Sequence, residues 1–349
     1  MRSFDAASAD EAWRLAVDAI KEGTYVLRQN GRGGYTSELL HVTIHVHDPR
    51  QRWVLSRTPA LNPAFAAVEV IGILNGRCDS AYLNFFNPRL PKYAGTGAAY
   101  HGAYGFRLRS GAGFDQLERA SNALKANGDG RQIVLQIWDP ALDFPSDEGK
   151  PVADDIPCNI CSMLKVRNGR LEWSQIMRSN DIFLGLPHNF VQFTTLQEVL
   201  AGWLGVEPGT YSHFADSLHL YEKDADNVFS SVEVPLPATS DSLALPKHEA
   251  DPIWREMNRR VDALVAEELA PKEYGTIARL DDAPQAFGNL IAIVAADAAR
   301  RRKCTDGVHE AIALCKSPIL MQLWGRWAER MGLNQPGVLV EDFRKDVRV

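Results

Sequence analysis

Arg178-Ser179-Asn180-Asp181-Ile182-Phe183-Leu184-Gly185-Leu186-Pro187-His188-Asn189 is the stretch around which this chain organises itself. Pro157-Cys158 stands twenty residues before Arg178, and His219-Leu220-Tyr221 begins thirty residues after Asn189. Between Cys158 and Arg178, Ile160 to Val166 and Arg170 to Met177 flank Asn168-Gly169, a pair suited to a two-residue hairpin turn. Cys158 and Arg178 are therefore expected at the open end of one hairpin. A cysteine becomes a nucleophile when positive charge lowers its pKa from about 8.5, and an arginine on the adjacent strand supplies that charge. The competing reading is that Cys158 is a small buried hydrophobe.

Outward from the hairpin, Phe190 to Leu204 reads as an amphipathic helix, and Leu218–Tyr221 and Val228–Val234 as short strands. Upstream, Asp10 to Glu22 is helical, with Trp13, Ala16, Val17 and Ile20 on one face. Asn30-Gly31-Arg32-Gly33-Gly34 is a turn before a strand at Leu40 to His47. Ala64 to Asn75 and Gly113 to Asn127 read as helices, and Gln132 to Trp138 as a strand. Tyr82 to Gly105 is an irregular run rich in Gly, Pro and aromatics, of the length usually reserved for function. Pro235 to Pro252 reads as a linker. After it come helical patterns at Ile253–Leu269, Gln285–Arg302 and Ser317–Met331, with Pro284 and Pro318 at helix starts. The expectation is an α+β catalytic domain over residues 1–235, a mixed sheet packed with helices, followed by an all-helical unit over 236–349.

The chain has 349 residues, 45% hydrophobic and 23% charged, with a net charge of −6. That balance argues against general nucleic-acid binding or attachment to a membrane surface. There is no apolar run long enough for a transmembrane helix, and Met1 to Val17 lacks the apolar core of a signal peptide. Five cysteines (Cys78, Cys158, Cys161, Cys304 and Cys315) are too few and too scattered for a disulfide framework, so a reduced, cytoplasmic chain is expected.

Other clusters carry weaker chemical signals. Cys158-Asn159-Ile160-Cys161 is a C-x-x-C, but it opens a strand rather than a helix, and no further pair of ligands completes a zinc site. His41, His45 and His47 share a strand face by parity, without the acids or cysteines that would finish a metal site. No metal is expected. Gly31-Arg32-Gly33-Gly34 would let backbone approach a phosphate, with Arg32 adding charge.

Taken together, P-C, then R-S-x-D-x-x-L-G-x-P-x-N, then H-x-Y, at these spacings, resembles the folate-dependent thymidylate synthase family. Weaker likenesses extend upstream. Asn30-Gly31-Arg32 resembles the family's phosphate loop, and Glu69 to Gly76 its E-L-L-W-F-L-x-G helix. Tyr104 to Arg109 resembles Y-G-x-x-W-R with Leu108 for tryptophan, and Arg131-Gln132-Ile133-Val134 the R-R-I-I segment inserted by a partner subunit. The likeness covers about residues 20 to 225. Departures are equally specific. Gln132 replaces the second arginine, Asn159 the histidine after the cysteine, and Met177 the glutamine before Arg178. Asp216-Ser217-Leu218-His219 stands for G-D-x-H, so Asp216 inherits no role. Pro91-Lys92-Tyr93-Ala94 stands where a W-D-x-W segment would be, and Asp342 to Val349 has no likeness to the tail that closes over folate.

The resemblance implies a homodimer with shared active sites, acting on a pyrimidine nucleoside monophosphate and 5,10-methylenetetrahydrofolate. Cys158 would add to C6 of the base, and Asn189 would read O4 and N3 and stabilise the charge that develops. Glu69 and Tyr104 would organise proton transfers through water, and Asp181 would meet the pterin. Arg32, Arg178, Ser179 and the partner's Arg131 would hold phosphate, and His219 and Tyr221 the ribose. Once folate leaves, an exocyclic methylene remains at C5. Hydride makes it methyl, and water makes it hydroxymethyl. The missing tail and tryptophan segment are water-excluding parts, so the expected product is the 5-hydroxymethyl nucleotide. Divergent thymidylate synthesis is the alternative, an inactive nucleotide-binding relative a further one, and C-x-x-C redox chemistry the remotest. Asn189 favours uracil, although an amide presented the other way round would accept cytosine.

Overall fold

The computed structural model describes residues 2–333 apart from 238, 240 and 267. The closing segment at Asp342 to Val349 lies outside the described residues. The fold is α+β, built on one mixed sheet. Its strands are β1 (Arg2–Ala6), β2 (Leu27–Gly31), β3 (Gly34–Val46), β4 (Ile133–Gln136), β5 (Asn159–Arg167), β6 (Arg170–Met177), β7 (Asn180–Asp181) and β8 (Glu207–Tyr221). Their order is β1-β3-β8-β6-β5-β4, with β2 on the flank of β3 and β7 on β8. β8 is antiparallel to β3 and parallel to β6. It therefore joins the first third of the chain to the Cys158 hairpin. Asn168 and Gly169 take φ of 50° and 71°, the left-handed pair that a tight hairpin of this twist requires.

One expectation fails here and another is incomplete. Val228–Val234 is not a strand: helix Glu222–Phe229 runs into it, with Glu222 and Asp224 in the first turn, where acidic side chains favour a helix start. Leu218–Tyr221 is only the last part of β8, whose Pro208 and Gly209 disguise its beginning as a turn. The linker is also shorter than expected. Helix Lys247–Ala266 carries Pro252 inside it, close enough to its start that one backbone bond is forfeited.

Helix Gly185–Leu204 organises the interior. It is buried on almost every side rather than amphipathic, because the sheet lies on one flank and helix Pro63–Leu74 on the other. Several of its polar residues anchor it to its neighbours. Gln197 donates to the carbonyls of Leu171 (2.9 Å) and Gly209 (3.1 Å), tying the helix to β6 and β8. Glu198 is fully buried, pairs with Arg52, accepts from Arg50 Nε at 3.0 Å, and also accepts the Leu243 amide. The two arginines outweigh burial and hold its carboxyl below the ordinary carboxylate range. A depressed folded-state pKa means this contribution is present at neutral pH and lost as pH falls through the acidic range. Glu198→Ala would strand Arg52 in the interior. It is expected to cost about 3–5 kcal/mol in urea unfolding at pH 7, with the difference from the parent shrinking toward acidic pH.

Helix Pro63–Leu74 is capped by Asn62, whose Oδ1 accepts the amides of Ala64 and Phe65, with Pro63 at its first position. Gly72 in this helix has no room for a Cβ, which would collide with the Tyr82 hydroxyl. Helix Gln285–Arg301 packs on the outer face of Pro63–Leu74, and Asn75 donates to the Trp254 carbonyl at 3.0 Å. The helices after residue 236 are thereby brought against the helix that carries Glu69. Among the described residues no helix is long and apolar enough to cross a membrane.

Candidate active site

A cavity of about 990 Å³ opens between the sheet, helix Gly185–Leu204 and the 81–106 segment. That is the upper end of the range for small-molecule sites, with room for a nucleotide and a second ligand together. Cys158, Glu69, Tyr104, Asp181, Asn189, Arg32, Ser179, His219 and Tyr221 all line it. Arg178 stands behind the cysteine, its Nη2 3.9 Å from Cys158 Sγ. The Arg178 guanidinium also donates to the carbonyls of Pro157 (2.9 Å) and Ile156 (3.0 Å), and its amide donates to Cys158 O at 2.9 Å. The hairpin ends are thus clamped with the thiol facing the cavity. Burial nevertheless pushes the Cys158 thiol above its ordinary value, against the pull of Arg178 and Arg32 and with nearby Asp155 adding to the rise. Without a ligand the thiol stays protonated at neutral pH.

Arg131 is the exception among the expected residues. It is exposed, ahead of β4, and does not line the cavity of its own chain. Cys161 pairs with Ile176 within the sheet and lies outside the cavity, and both cysteines of the C-x-x-C are free thiols. His41, His45 and His47 go to three separate partners, Asp216 (3.1 Å), Ser212 (2.9 Å) and Asp5 (3.6 Å). No group of three metal-ligating side chains occurs among the described residues. The glycine loop has a local cause: a Cβ on Gly33 would lie 2.9 Å from the Tyr221 ring. Arg32 beside it donates to the carbonyls of Asp154 (2.8 Å) and Tyr93 (2.9 Å), bridging two loops at the cavity rim.

Asp181 sits on β7 beside His219. Its Oδ1 accepts the amides of Phe183 (2.6 Å) and Leu184 (3.0 Å), yet burial still raises its pKa. Burial likewise holds the Tyr104 hydroxyl far above the usual range, so it is a proton donor.

Several residues with site roles were not singled out from sequence. Asn189 ends a buried polar chain. Its Oδ1 accepts from Asn180 Nδ2 (2.8 Å), Asn180 Oδ1 meets His213 Nε2 (2.8 Å), and His213 Nδ1 meets the Tyr211 hydroxyl (2.9 Å). On its other side Asn189 Nδ2 donates to Gln192 at 3.1 Å. Burial drives His213 down to about 3, so it is a neutral link in this chain. With one bond on each side, Asn189 keeps one N–H and one oxygen lone pair free, the pattern that matches O4 and N3–H of uracil. His188 and Glu69 form a second pair, His188 Nδ1 donating to Glu69 Oε2 at 2.6 Å.

The far wall comes from the C-terminal helices: Trp327, Met331, Arg300, Arg301 and Arg330 line the cavity beside Phe86, Leu90 and Arg89, with Arg301 donating to the Phe86 carbonyl. Buried Asp297 accepts from Arg300 (2.6 Å) and Arg301 (2.9 Å), fixing that wall. Arg57 reaches in from below with its guanidinium 4.1 Å from the Phe183 ring centroid. Burial, with Arg330 nearby, lowers it to about 9. An aromatic wall is therefore present, supplied by a part of the chain that the resemblance does not reach.

A cysteine clamped against an arginine, a half-paired buried amide and a rim of arginines thus share one cavity of an α+β fold. The family model for thymidylate synthase matches residues 14–267. The chain belongs to the thymidylate synthase family. It is similar to the deoxyuridylate hydroxymethyltransferase of Bacillus phage SP01, 36% identical over 216 residues, covering 59% of this chain and 55% of that one. The deoxyuridylate hydroxymethyltransferase of Pseudomonas phage M6 is 36% identical over 182 residues, 52% of this chain and 50% of that one. That of Delftia phage PhiW-14 is 31% identical over 204 residues, 56% of each. The matches thus span about half the length of these relatives.

Proposed function

We propose that this chain transfers the one-carbon unit of 5,10-methylenetetrahydrofolate to C5 of deoxyuridylate through a Cys158–C6 adduct, and releases the 5-hydroxymethyl nucleotide with tetrahydrofolate unoxidised. The observation that carries the proposal is Cys158, held beside Arg178 in a cavity shared with Asn189, Asp181 and Glu69. The phage relatives named for this activity support the choice of product and of deoxyribose.

In this reading residues 1–235 carry the chemistry and the helices after 236 wall the folate side. The wall fits a folate: Trp327 offers flat apolar surface to a ring system, and Arg89 and Arg330 suit terminal carboxylates. Arg32, Arg178 and Ser179 hold the phosphate, joined by Arg131 from a second subunit, and His219 and Tyr221 hold the sugar. In the same reading the enzyme is a cytoplasmic homodimer, its five scattered cysteines suiting a reducing compartment.

One observation favours the second reading, reductive methylation to thymidylate. Trp327 and Met331 are apolar cover over the site, and cover protects the methylene for hydride. Mass spectrometry of the nucleotide, with absorbance in the dihydrofolate band, separates the two. Addition of CH2O without dihydrofolate is expected. Addition of CH2 with stoichiometric dihydrofolate would establish thymidylate synthesis instead.

A further inference from the structure

We propose that Glu69 and His188 act together as the general base that takes a proton from the water attacking the exocyclic methylene, so that His188 is the catalytic residue deciding between hydroxymethyl and methyl product. This rests on the hydroxymethylation reading above and adds to it the group that delivers the water.

His188 lies in the first turn of helix Gly185–Leu204, immediately before the base-reading Asn189. Two residues on one face of helix Pro63–Leu74 hold its ring: Glu69 bonds Nδ1 at 2.6 Å, and Phe65, one turn earlier, packs edge-on at 5.2 Å. A carboxylate on Nδ1 fixes the neutral tautomer and leaves a lone pair on Nε2. It also stabilises the imidazolium that forms when Nε2 takes a proton, the division of labour of any carboxylate–histidine base. Among the described residues Nε2 has no hydrogen-bond partner, and both side chains line the cavity with Cys158.

Beside Cys158, each carboxylate already accepts backbone amides through one of its oxygens. Asp155 accepts the Gly102 amide at 2.9 Å, and Asp181 accepts two amides. Tyr104 is held protonated, and Cys158 is the nucleophile. His219 lies on the sheet side, beside Asp181 and edge-on to Tyr221 at 5.4 Å. The position directly after the cysteine, where the family pattern has a histidine, holds Asn159, whose Oδ1 is bonded to Gln175. The imidazole beside the reacting base therefore comes from residue 188.

The step balances without a redox partner. The water oxygen bonds to the exocyclic carbon, and its proton passes to Nε2. The C5–CH2 π pair moves to make the C4 enolate. Re-forming the C4 carbonyl then makes the C5–C6 double bond, breaks the C6–S bond and returns Cys158 as thiolate, which recovers the proton from His188.

The test uses His188→Phe and His188→Asn in the full-length protein with deoxyuridylate tritiated at C5. Tritium release reports one-carbon transfer whatever becomes of the methylene, and 5-fluorodeoxyuridylate adduct formation with methylenetetrahydrofolate reports an intact site. Both variants are expected to form the adduct and, in a single turnover with enzyme in excess, to release tritium within about three-fold of the parent. Their hydroxymethyl product should fall on the order of 10²-fold, the scale of a lost general base. An added thiol, which ionises without help, should capture the stranded methylene as a thioether. Hydroxymethylation within three-fold of the parent in either variant overturns the proposal. So does loss of adduct and tritium release in both, which would place His188 in the fold or in the transfer step. A parent enzyme that makes thymidylate and dihydrofolate overturns the preceding functional reading instead, and is recognised before any variant is made.

Discussion

Cys158→Ser is expected to reduce product formation on the order of 10⁴-fold or more, the scale seen when a nucleophile is removed from a cooperative site. Nucleotide affinity should stay within about three-fold, because no phosphate or sugar contact is assigned to the sulfur. A serine hydroxyl is not ionised near neutrality, and Arg178 at 3.9 Å from the reacting atom acts on a thiolate it can favour rather than on an alcohol. Cys161→Ser, in the sheet and outside the cavity, should keep activity within about three-fold. The pH dependence follows from the sign of the shift. Burial raises Cys158 above its ordinary value, so the reactive thiolate should keep growing from pH 7 to 9 with no plateau in that range. Alkylation of Cys158 by a neutral reagent, followed by peptide mass spectrometry, should show that slope. A bound nucleotide should protect the residue. A plateau below pH 8 would mean that Arg178 outweighs burial. Reversed behaviour of the two serine variants would move the nucleophile to Cys161.

The site was legible from sequence where one short element carries several of its residues. Arg178, Ser179, Asp181 and Asn189 fall within twelve positions; the β6–β7 junction, β7 and the start of the following helix bring Ser179, Asp181 and Asn189 to one cavity, with Arg178 behind Cys158. The hairpin was legible for the same reason, since Asn168-Gly169 states its turn chemistry locally. What stayed hidden depends on contacts distant in sequence. The burial of helix Gly185–Leu204 follows from layers on both flanks, so Gln197 and Glu198 read as a solvated face when they are interior anchors. β8 was hidden because Pro208 and Gly209 signal a turn, while its pairing with β3 and β6 overrides them. His213 and Asn180 are ordinary polar residues until β8 brings them within 2.8 Å of each other. The Trp327 wall belongs to helix Pro318–Arg330, which has no motif of its own and reaches the site by packing on helices Pro63–Leu74 and Gln285–Arg301, with Arg330 donating to the Ala60 carbonyl at 2.8 Å.

Mixing Arg131→Ala and Cys158→Ser subunits should regenerate activity that neither variant shows alone at low nucleotide concentration. Arg131 is exposed and absent from the cavity of its own chain, although its place in the sequence corresponds to a phosphate-holding arginine of the family pattern. Those two facts are reconciled if it serves a neighbouring copy across a two-fold interface, where each subunit gives and receives the same contact. Loss of a charged hydrogen bond to phosphate is expected to cost about 1.5–3 kcal/mol, a weakening of roughly ten- to a hundred-fold in nucleotide affinity for Arg131→Ala. In a mixed dimer the Arg131→Ala subunit keeps Cys158 and borrows the intact Arg131 of its neighbour, so one of its two sites is complete. Random exchange at equal amounts makes about half the dimers mixed, so about a quarter of parental sites should return. If Arg131 served its own chain, one site of each mixed dimer would lack the arginine and the other the thiol, and mixing would add nothing. Sedimentation should show a dimer in the parent and in both variants. A monomer that is fully active would exclude sharing altogether, and would leave Arg131 as an exposed cation outside the phosphate site.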